Sequence, residues 1–245
     1  MSVASTINLP KLRLSPKKVI SPQIYDFLRK HITEATIKPG TLISENSLSV
    51  HFNVSRQPVR EALMRLSYEG LLSVLPQRGS IVERISVSEL VQTVFVRTAI
   101  EKECVLNITK LDERTKKKCL SQIEKVLELQ HNIQHDENFK SNYLSLDDLF
   151  HECLCNLSCA PMAWNTIQSI KGQMDRIRFL SFEAEGHAEG VTHEHDEIFE
   201  RIKNDDIVGA TDLLTEHLSQ IINTHKPIMK RYSEWFSDGT HNFDE

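Results

Sequence analysis

Between residues 24 and 32 the apolar side chains Ile24, Phe27, Leu28 and Ile32 recur at helical spacing, which predicts an amphipathic helix. Lys38-Pro39-Gly40 supplies the turn that closes this segment. A short helix is expected after Ser44, carrying Leu48 and Val50. Val54 then leads into Ser55, a residue type that caps helix N-termini. Pro58 falls in the first turn of the next helix, where its missing N–H breaks no bond. In that third helix Val59, Ala62, Leu63 and Leu66 stand at i, i+3, i+4 and i+7 and define a buried stripe, with Arg56, Gln57 and Arg60 off it. Glu69-Gly70 stops the helix. Two short apolar runs, Leu71 to Leu75 and Ser80 to Val82, bracket Pro76-Gln77-Arg78-Gly79, a hairpin with a basic tip. Three helices followed by a hairpin make a winged helix-turn-helix.

The pattern changes after residue 84. Six of the eight prolines precede residue 85, and only Pro161 and Pro227 follow it. Few breakers and sustained 3.6-residue periods predict an all-helical antiparallel bundle, so the fold class is mainly α. Ser86 and Glu89 form a candidate capping box for its first helix, along which Val91, Val94, Phe95, Thr98 and Cys104/Val105 continue an apolar stripe. Further helices are expected at 112–135, 138–159, 161–185, 191–204 and 206–231, with Asp112 and Asp205 as N-caps. The organisation that follows is a mobile leader over 1–20, a winged helix-turn-helix over 21–84, a second, all-helical domain over 85–232, and a polar tail over 233–245.

Charge sharpens this division. The chain of 245 residues carries a net charge of −5, but residues 1–84 hold 12 Lys+Arg against 6 Asp+Glu, whereas the remainder holds 17 against 28. A basic segment joined to an acidic one suggests that the first meets a polyanion. No apolar stretch is long enough to span a bilayer, and the N-terminus lacks the apolar core of a secretion signal. The five cysteines are odd in number, and Cys153, Cys155 and Cys159 lack the paired spacing of structural zinc sites. They read as small core residues of a chain kept in a reducing cytoplasm.

A helix fits the major groove, and the N-terminal residues of a recognition helix reach the base edges. Arg56 and Arg60 are one turn apart and can fork onto guanine, Gln57 onto adenine and Ser55 onto a phosphate. Arg78 and the Gly79 N–H suit the neighbouring backbone or minor groove. In the bundle, Asp147 and His151 lie at i, i+4, and His195 and His217 sit on two later helices. One carboxylate and three imidazoles converging there would hold a divalent ion with open positions. Spacing alone does not single them out, since His131/His135 is an equal i, i+4 pair and His193 competes with His195.

The string Ser55-Arg56-Gln57-Pro58-Val59-Arg60-Glu61-Ala62-Leu63, with Pro39-Gly40 before it and Pro76-Gln77-Arg78-Gly79 after it, resembles the DNA-binding domain of the GntR family of transcription regulators. The resemblance implies that Arg56 and Arg60 contact operator guanines and that Gly79 lies at the wing tip on DNA. Many members carry an arginine in the second helix, where this chain has Asn46. Residues 86–231 resemble the FCD ligand-binding domain of the FadR branch through Val96-Arg97…Glu101, Asp147…Phe150-His151, His195…Ile198 and His217-Leu218. That likeness implies Asp147, His151, His195 and His217 as ligands of a divalent metal (zinc first, then nickel or manganese). It further implies a small carboxylate effector, of the sugar-acid class, anchored by Arg97 and Arg178, with Glu101 or Glu183 the other claimants on Arg97. A homodimer on a short inverted repeat of double-stranded DNA follows from the two-fold logic of such modules. The rivals are a metal-dependent hydrolase built on the same ligands and a bundle that only dimerises.

Overall fold

The computed structural model describes residues 9–156, 160–182 and 187–237. Cys159, Glu183 and the outer ends of the expected leader and tail lie outside the described residues. The chain forms two compact units: one runs to Ser88 and also takes in Ser169–Arg176 and the residues from Met229 on, and the other comprises Glu89–Gln168 and Ile177–Ile228.

In the first unit, helix α1 (Ile20–Thr33) buries Ile24, Leu28 and Ile32 against the Val59, Ala62, Leu63 and Leu66 stripe of α3 (Arg56–Tyr68). Burying each such aliphatic side chain stabilises the fold by roughly 1.5–3 kcal/mol. Between them lies α2 (Glu45–Phe52), capped by Ser44, whose hydroxyl accepts from Ser47 N–H at 3.4 Å. Its buried side chains are Leu48 and Phe52, while Val50 points to solvent. Asn53 ends α2 in the left-handed region, a conformation its short polar side chain tolerates, and so makes the turn into α3. Leu9 is buried in this core and Leu12 and Leu14 pack against it. Residues 9–18, expected as part of a mobile leader, are therefore held by apolar contact.

The hairpin strands are β2 (Leu72–Leu75) and β3 (Gly79–Val82). A two-residue strand the sequence pattern did not reveal, β1 (Leu42–Ile43), pairs with the other edge of β3, so the antiparallel order is β1-β3-β2. Buried polar groups also tie this unit together. Arg29 donates to Glu69 at 2.9 Å and to Asp175 at 2.7 Å, and Lys171 reaches the same Asp175 carboxylate at 2.7 Å. Gln173 donates to the Gly70 carbonyl at 2.9 Å and Arg176 to that of Glu83 at 2.8 Å.

The second unit is helical throughout. Its elements belong to α4 (Val87–Leu106), α5 (Glu113–His131), α6 (Phe139–Asn156), α7 (Pro161–Ile170), α8 (Gly172–Ser181), α9 (His187–Lys203) and α10 (Ile207–Arg231). The core joins Ile123, Val126 and Leu127 of α5 to Phe150 and Leu154 of α6, Ile198 and Ile202 of α9, and Leu214 and Leu218 of α10. Cys155 is buried with Cys104, Trp164 and Ile167, the place of a small core residue, while Cys153 packs against the main core.

Three expectations change. The helix expected over 161–185 is two helices, α7 and α8, parted at Lys171. Asp112 caps α5 as anticipated, accepting from Arg114 and Thr115 N–H at 3.1 and 3.0 Å. The residue that caps α10 is Asp206, which accepts from Gly209 N–H at 3.0 Å, while Asp205 takes a left-handed backbone and pairs with Lys116. On α4, Val94 is buried but Val91 and Phe95 face outward.

Gly79 opens β3 with φ +105°, and a Cβ there would stand 2.5 Å from the Ile43 carbonyl oxygen of β1. Backbone conformation and strand packing both demand glycine here. Gly79→Ala is expected to lower the unfolding free energy of the first unit by about 1–3 kcal/mol. Arg78→Ala, at an exposed tip, should stay within about 0.5 kcal/mol; urea titration of the two variants checks both.

Candidate nucleic-acid interface and candidate metal centre

The N-terminal turn of α3 leaves its polar groups outside. Arg56, Gln57 and Arg60 are exposed, with Ser55 at the N-cap making no side-chain capping bond. Pro58 and the apolar stripe turn the other face of the helix inward, and that is why these residues look out. Gln57 donates to Glu61 at 2.9 Å, and the Arg60 guanidinium rests on Glu45 of α2 at 3.0 and 3.2 Å. Such solvent-exposed pairs contribute little and yield readily to a phosphate or a base edge. Arg78 is exposed beside Gly79 at the hairpin tip, and Asn46 is exposed on α2. The unit therefore presents a helix terminus and a wing, each carrying arginine, with these polar side chains left accessible.

In the second unit α6 carries Asp147 and His151, α9 His195 and α10 His217, and one ligand atom from each lies within 4.8 Å of all the others. The bundle brings together all four residues singled out in the sequence. His131 and His193 stay out, paired with Asp196 and Glu197 at 2.9 and 3.5 Å, and His135 lies 3.9 Å from Glu189. The approaches inside the cluster are 3.2 Å from His151 Nε2 to His217 Nε2 and 3.3 Å from His217 Nε2 to His195 Nε2. Asp147 oxygens stand 3.8 Å from His151 Nε2 and 3.7 Å from His195 Nε2.

Each imidazole is held from behind. His151 Nδ1 meets Glu101 Oε2 at 2.7 Å, His195 Nδ1 meets Gln130 Oε1 at 3.0 Å, and His217 Nδ1 meets Glu194 Oε2 at 2.7 Å. Phe150 stacks on the His195 ring at 3.9 Å and fixes its plane. Burial, reinforced by Arg97, holds His151 well below the usual histidine range. Burial and the neighbouring His217 do the same to His195. Burial pushes the Glu101 carboxyl up, against the pull of Arg97. Burial would also raise Glu194, but the hydrogen bonds from His217 and Gln220 outweigh it and hold that carboxyl low.

A carboxylate or amide oxygen at Nδ1 demands the proton there, so all three Nε2 lone pairs point into one small volume. Lone pairs converge in this way around a cation. Metal–nitrogen bonds of about 2.0–2.1 Å set tetrahedral edges of about 3.3 Å, the separation found between these nitrogens. The donor set and its outer partners thus fit a divalent ion.

Arg97 lies buried on α4 and donates to Glu101 at 2.5 Å, while Glu183, the other expected claimant, lies outside the described residues. Arg178 on α8 reaches both Asp147 and, at 2.8 Å, Asp148. Arg176, two residues earlier, belongs with the first unit and takes no part. The outer partners Glu101, Gln130 and Glu194 went unassigned as such. For Gln130 a signal existed, because it continues the register of Ile123, Val126 and Leu127 on α5 and is itself buried: a polar residue at a core position.

Residues 20–82 match the bacterial regulatory proteins of the gntR family and residues 92–220 match the FCD domain. The chain belongs to the GntR family of DNA-binding transcription regulators, in the group with a C-terminal FCD domain. It is 36% identical to the HTH-type transcriptional repressor RspR of Escherichia coli K12, over 92% of this chain and 97% of that one. The gluconate operon transcriptional repressor of Bacillus subtilis is 30% identical over 58% of either chain. Among solved structures, E. coli McbR/YncC superposes with a TM-score of 0.67 at 20% identity, covering 86% of this chain and 99% of its own. The family is one of regulators, not of enzymes, which removes the hydrolase reading.

Glu45 holds the Arg60 guanidinium and would compete with DNA for it if Arg60 lies in the interface. Glu45→Gln is expected to tighten binding several-fold on a duplex selected by the wild-type protein from a random pool, because it frees the guanidinium and removes a charge repelled by phosphate. Arg60→Ala should weaken the same complex at least fivefold. Fluorescence anisotropy at fixed salt measures both, and unchanged affinity in the two variants would remove Arg60 from the interface.

Proposed function

We propose that the second unit senses a small organic acid beside a divalent ion held by Asp147, His151, His195 and His217, and that the acid sets the affinity of the first unit for its operator. The convergence of three unprotonated imidazole nitrogens in a buried site carries this reading. Zinc suits the donor set best, with nickel and manganese as alternatives. The bound ion supplies a Lewis-acidic anchor with positions open to an acid oxygen.

The chain's own residues do the rest. Glu101, Gln130 and Glu194 fix the tautomer and aim of the imidazoles, and Asp147 contributes the one anionic ligand. Arg178 is the nearest guanidinium to the cluster through its contact with Asp147. It is the candidate to take a carboxylate of the effector, with Arg97 acting behind it through Glu101 and His151. A sugar acid is the preferred class, a choice supported by the name of the gluconate operon repressor, which shares over half of its length with this chain. On the DNA side, Arg56 and Arg60 read guanine, Gln57 reads adenine, and Ser55, Arg78 and Gly79 position the backbone of a short inverted repeat. Two copies are needed for two half-sites. Val91 and Phe95, one turn apart on α4, are 43% and 74% exposed and offer an apolar patch for the second copy.

Protein purified without chelator is expected to carry about one ion per chain by elemental analysis and to lose it in Asp147→Ala and His151→Ala. Glu101→Gln should weaken metal affinity by about 10–100-fold, the usual cost of disturbing an outer partner. A sugar acid at a hundred times its Kd should add about 2.7 kcal/mol of stability to the metal-loaded protein. Arg178→Gln should lose that response while keeping operator binding. No ion and no response to any acid in a thermal-shift panel would leave the bundle a dimerisation module.

A further inference from the structure

On the far side of His195 from the converging nitrogens, a cavity of about 230 Å³ opens between the end of α5 and the first turns of α6 and α9. Gln130, His131, His135, Phe139, Glu189 and Asp196 line it. None of them belongs to the ligand set.

Gln130 makes this cavity more than a gap. Its side chain is buried, and its Oε1 faces His195 Nδ1 at 3.0 Å. If His195 Nε2 faces an ion, Nδ1 carries the proton and the amide must present oxygen to it; in this one respect the argument rests on the metal reading. The amide Nε2 then turns away from His195, and it has no hydrogen-bond partner among the described residues. A buried donor left unsatisfied costs about 1–3 kcal/mol, so the position calls for an acceptor.

The walls limit what that acceptor belongs to. A water fills about 30 Å³, so the cavity has room for an organic molecule of several heavy atoms. Phe139 stacks on His135 at 4.0 Å and Ile133 lies beside it, an apolar wall. At the rim stand the carboxylates of Glu189 and Asp196, facing His135 at 3.9 Å and His131 at 2.9 Å. A carboxylate accepting from Gln130, an ammonium beside Glu189 and Asp196 and an apolar side chain along Phe139, all three borne by one carbon, describe an α-amino acid. We infer that this cavity is a second ligand site, selective for a small α-amino acid and coupled to the metal cluster through the Gln130–His195 hydrogen bond.

Isothermal titration of the zinc-loaded full chain with each of the common L-amino acids tests this. At least one should bind saturably at one per chain. Phe139→Ala, which touches no metal ligand, should weaken that binding at least tenfold, as should Gln130→Leu in protein that retains zinc. Arg178→Gln should leave it unchanged. Binding that persists after EDTA treatment would uphold the cavity even where the metal reading fails. The proposal is overturned if no amino acid binds, or if Phe139→Ala binds as the wild type does. Loss of binding in Arg178→Gln alone would also overturn it, because the amino acid would then occupy the site of the organic acid.

Discussion

Three imidazole nitrogens can share one buried volume only if the protons sit on the opposite side of every ring. That requirement organises the second unit. It calls for an acceptor behind each histidine, and the bundle supplies one from α4, one from α5 and one from α9: Glu101, Gln130 and Glu194. Glu101 is completely buried and would be costly alone, so Arg97 lies against it one turn back on the same helix. A buried charge pair of this sort adds little to net stability. Breaking it by removing one partner is expensive, by about 3–5 kcal/mol. The polar chain from Arg97 through Glu101 to His151 therefore fixes how α4 and α6 face each other more firmly than apolar packing alone would.

The first unit follows the opposite economy. Its apolar stripe is fully buried, but the polar groups at the N-terminus of α3 are held only by exposed partners. Weak, solvated pairs orient Gln57 and Arg60 without committing them. Among the described residues Gln57 and Arg60 have only such partners, and a DNA-binding surface built on them could exchange these for phosphates and bases.

Much of this was legible in the chain. The spacing of Val59, Ala62, Leu63 and Leu66 could belong only to a helix with one buried face, and the hairpin at Pro76-Gln77-Arg78-Gly79 followed from residue type, whereas the left-handed turn at Asn53 was not anticipated. The metal candidates were legible as residues but not as a cluster: His131 and His135 share the i, i+4 spacing of Asp147 and His151, and only tertiary packing sends one pair inward. The parting of α7 from α8 was hidden because no proline marks it, just Gly172 after a lysine that turns out to be buried on Asp175. The two-residue strand β1 was too short to show a period. Asp205 and Asp206 are equally good caps by type, and the backbone at Asp205, with φ near 60°, gives the role to its neighbour.

Residues 169–176 lie in the middle of the stretch that matches the FCD domain, yet they pack as part of the DNA-binding unit. Gly172 sits so close to Leu71 that a Cβ would approach its side chain to 3.0 Å, and Asp175 shares Arg29 with Glu69. Recombination between family members at the interdomain linker would therefore not exchange whole modules. A chimera that took its first 88 residues from a relative would keep Lys171 and Asp175 while exchanging the Arg29 and Glu69 side chains they were matched to. Heritable coupling between the two halves is thus written into eight residues far from the seam.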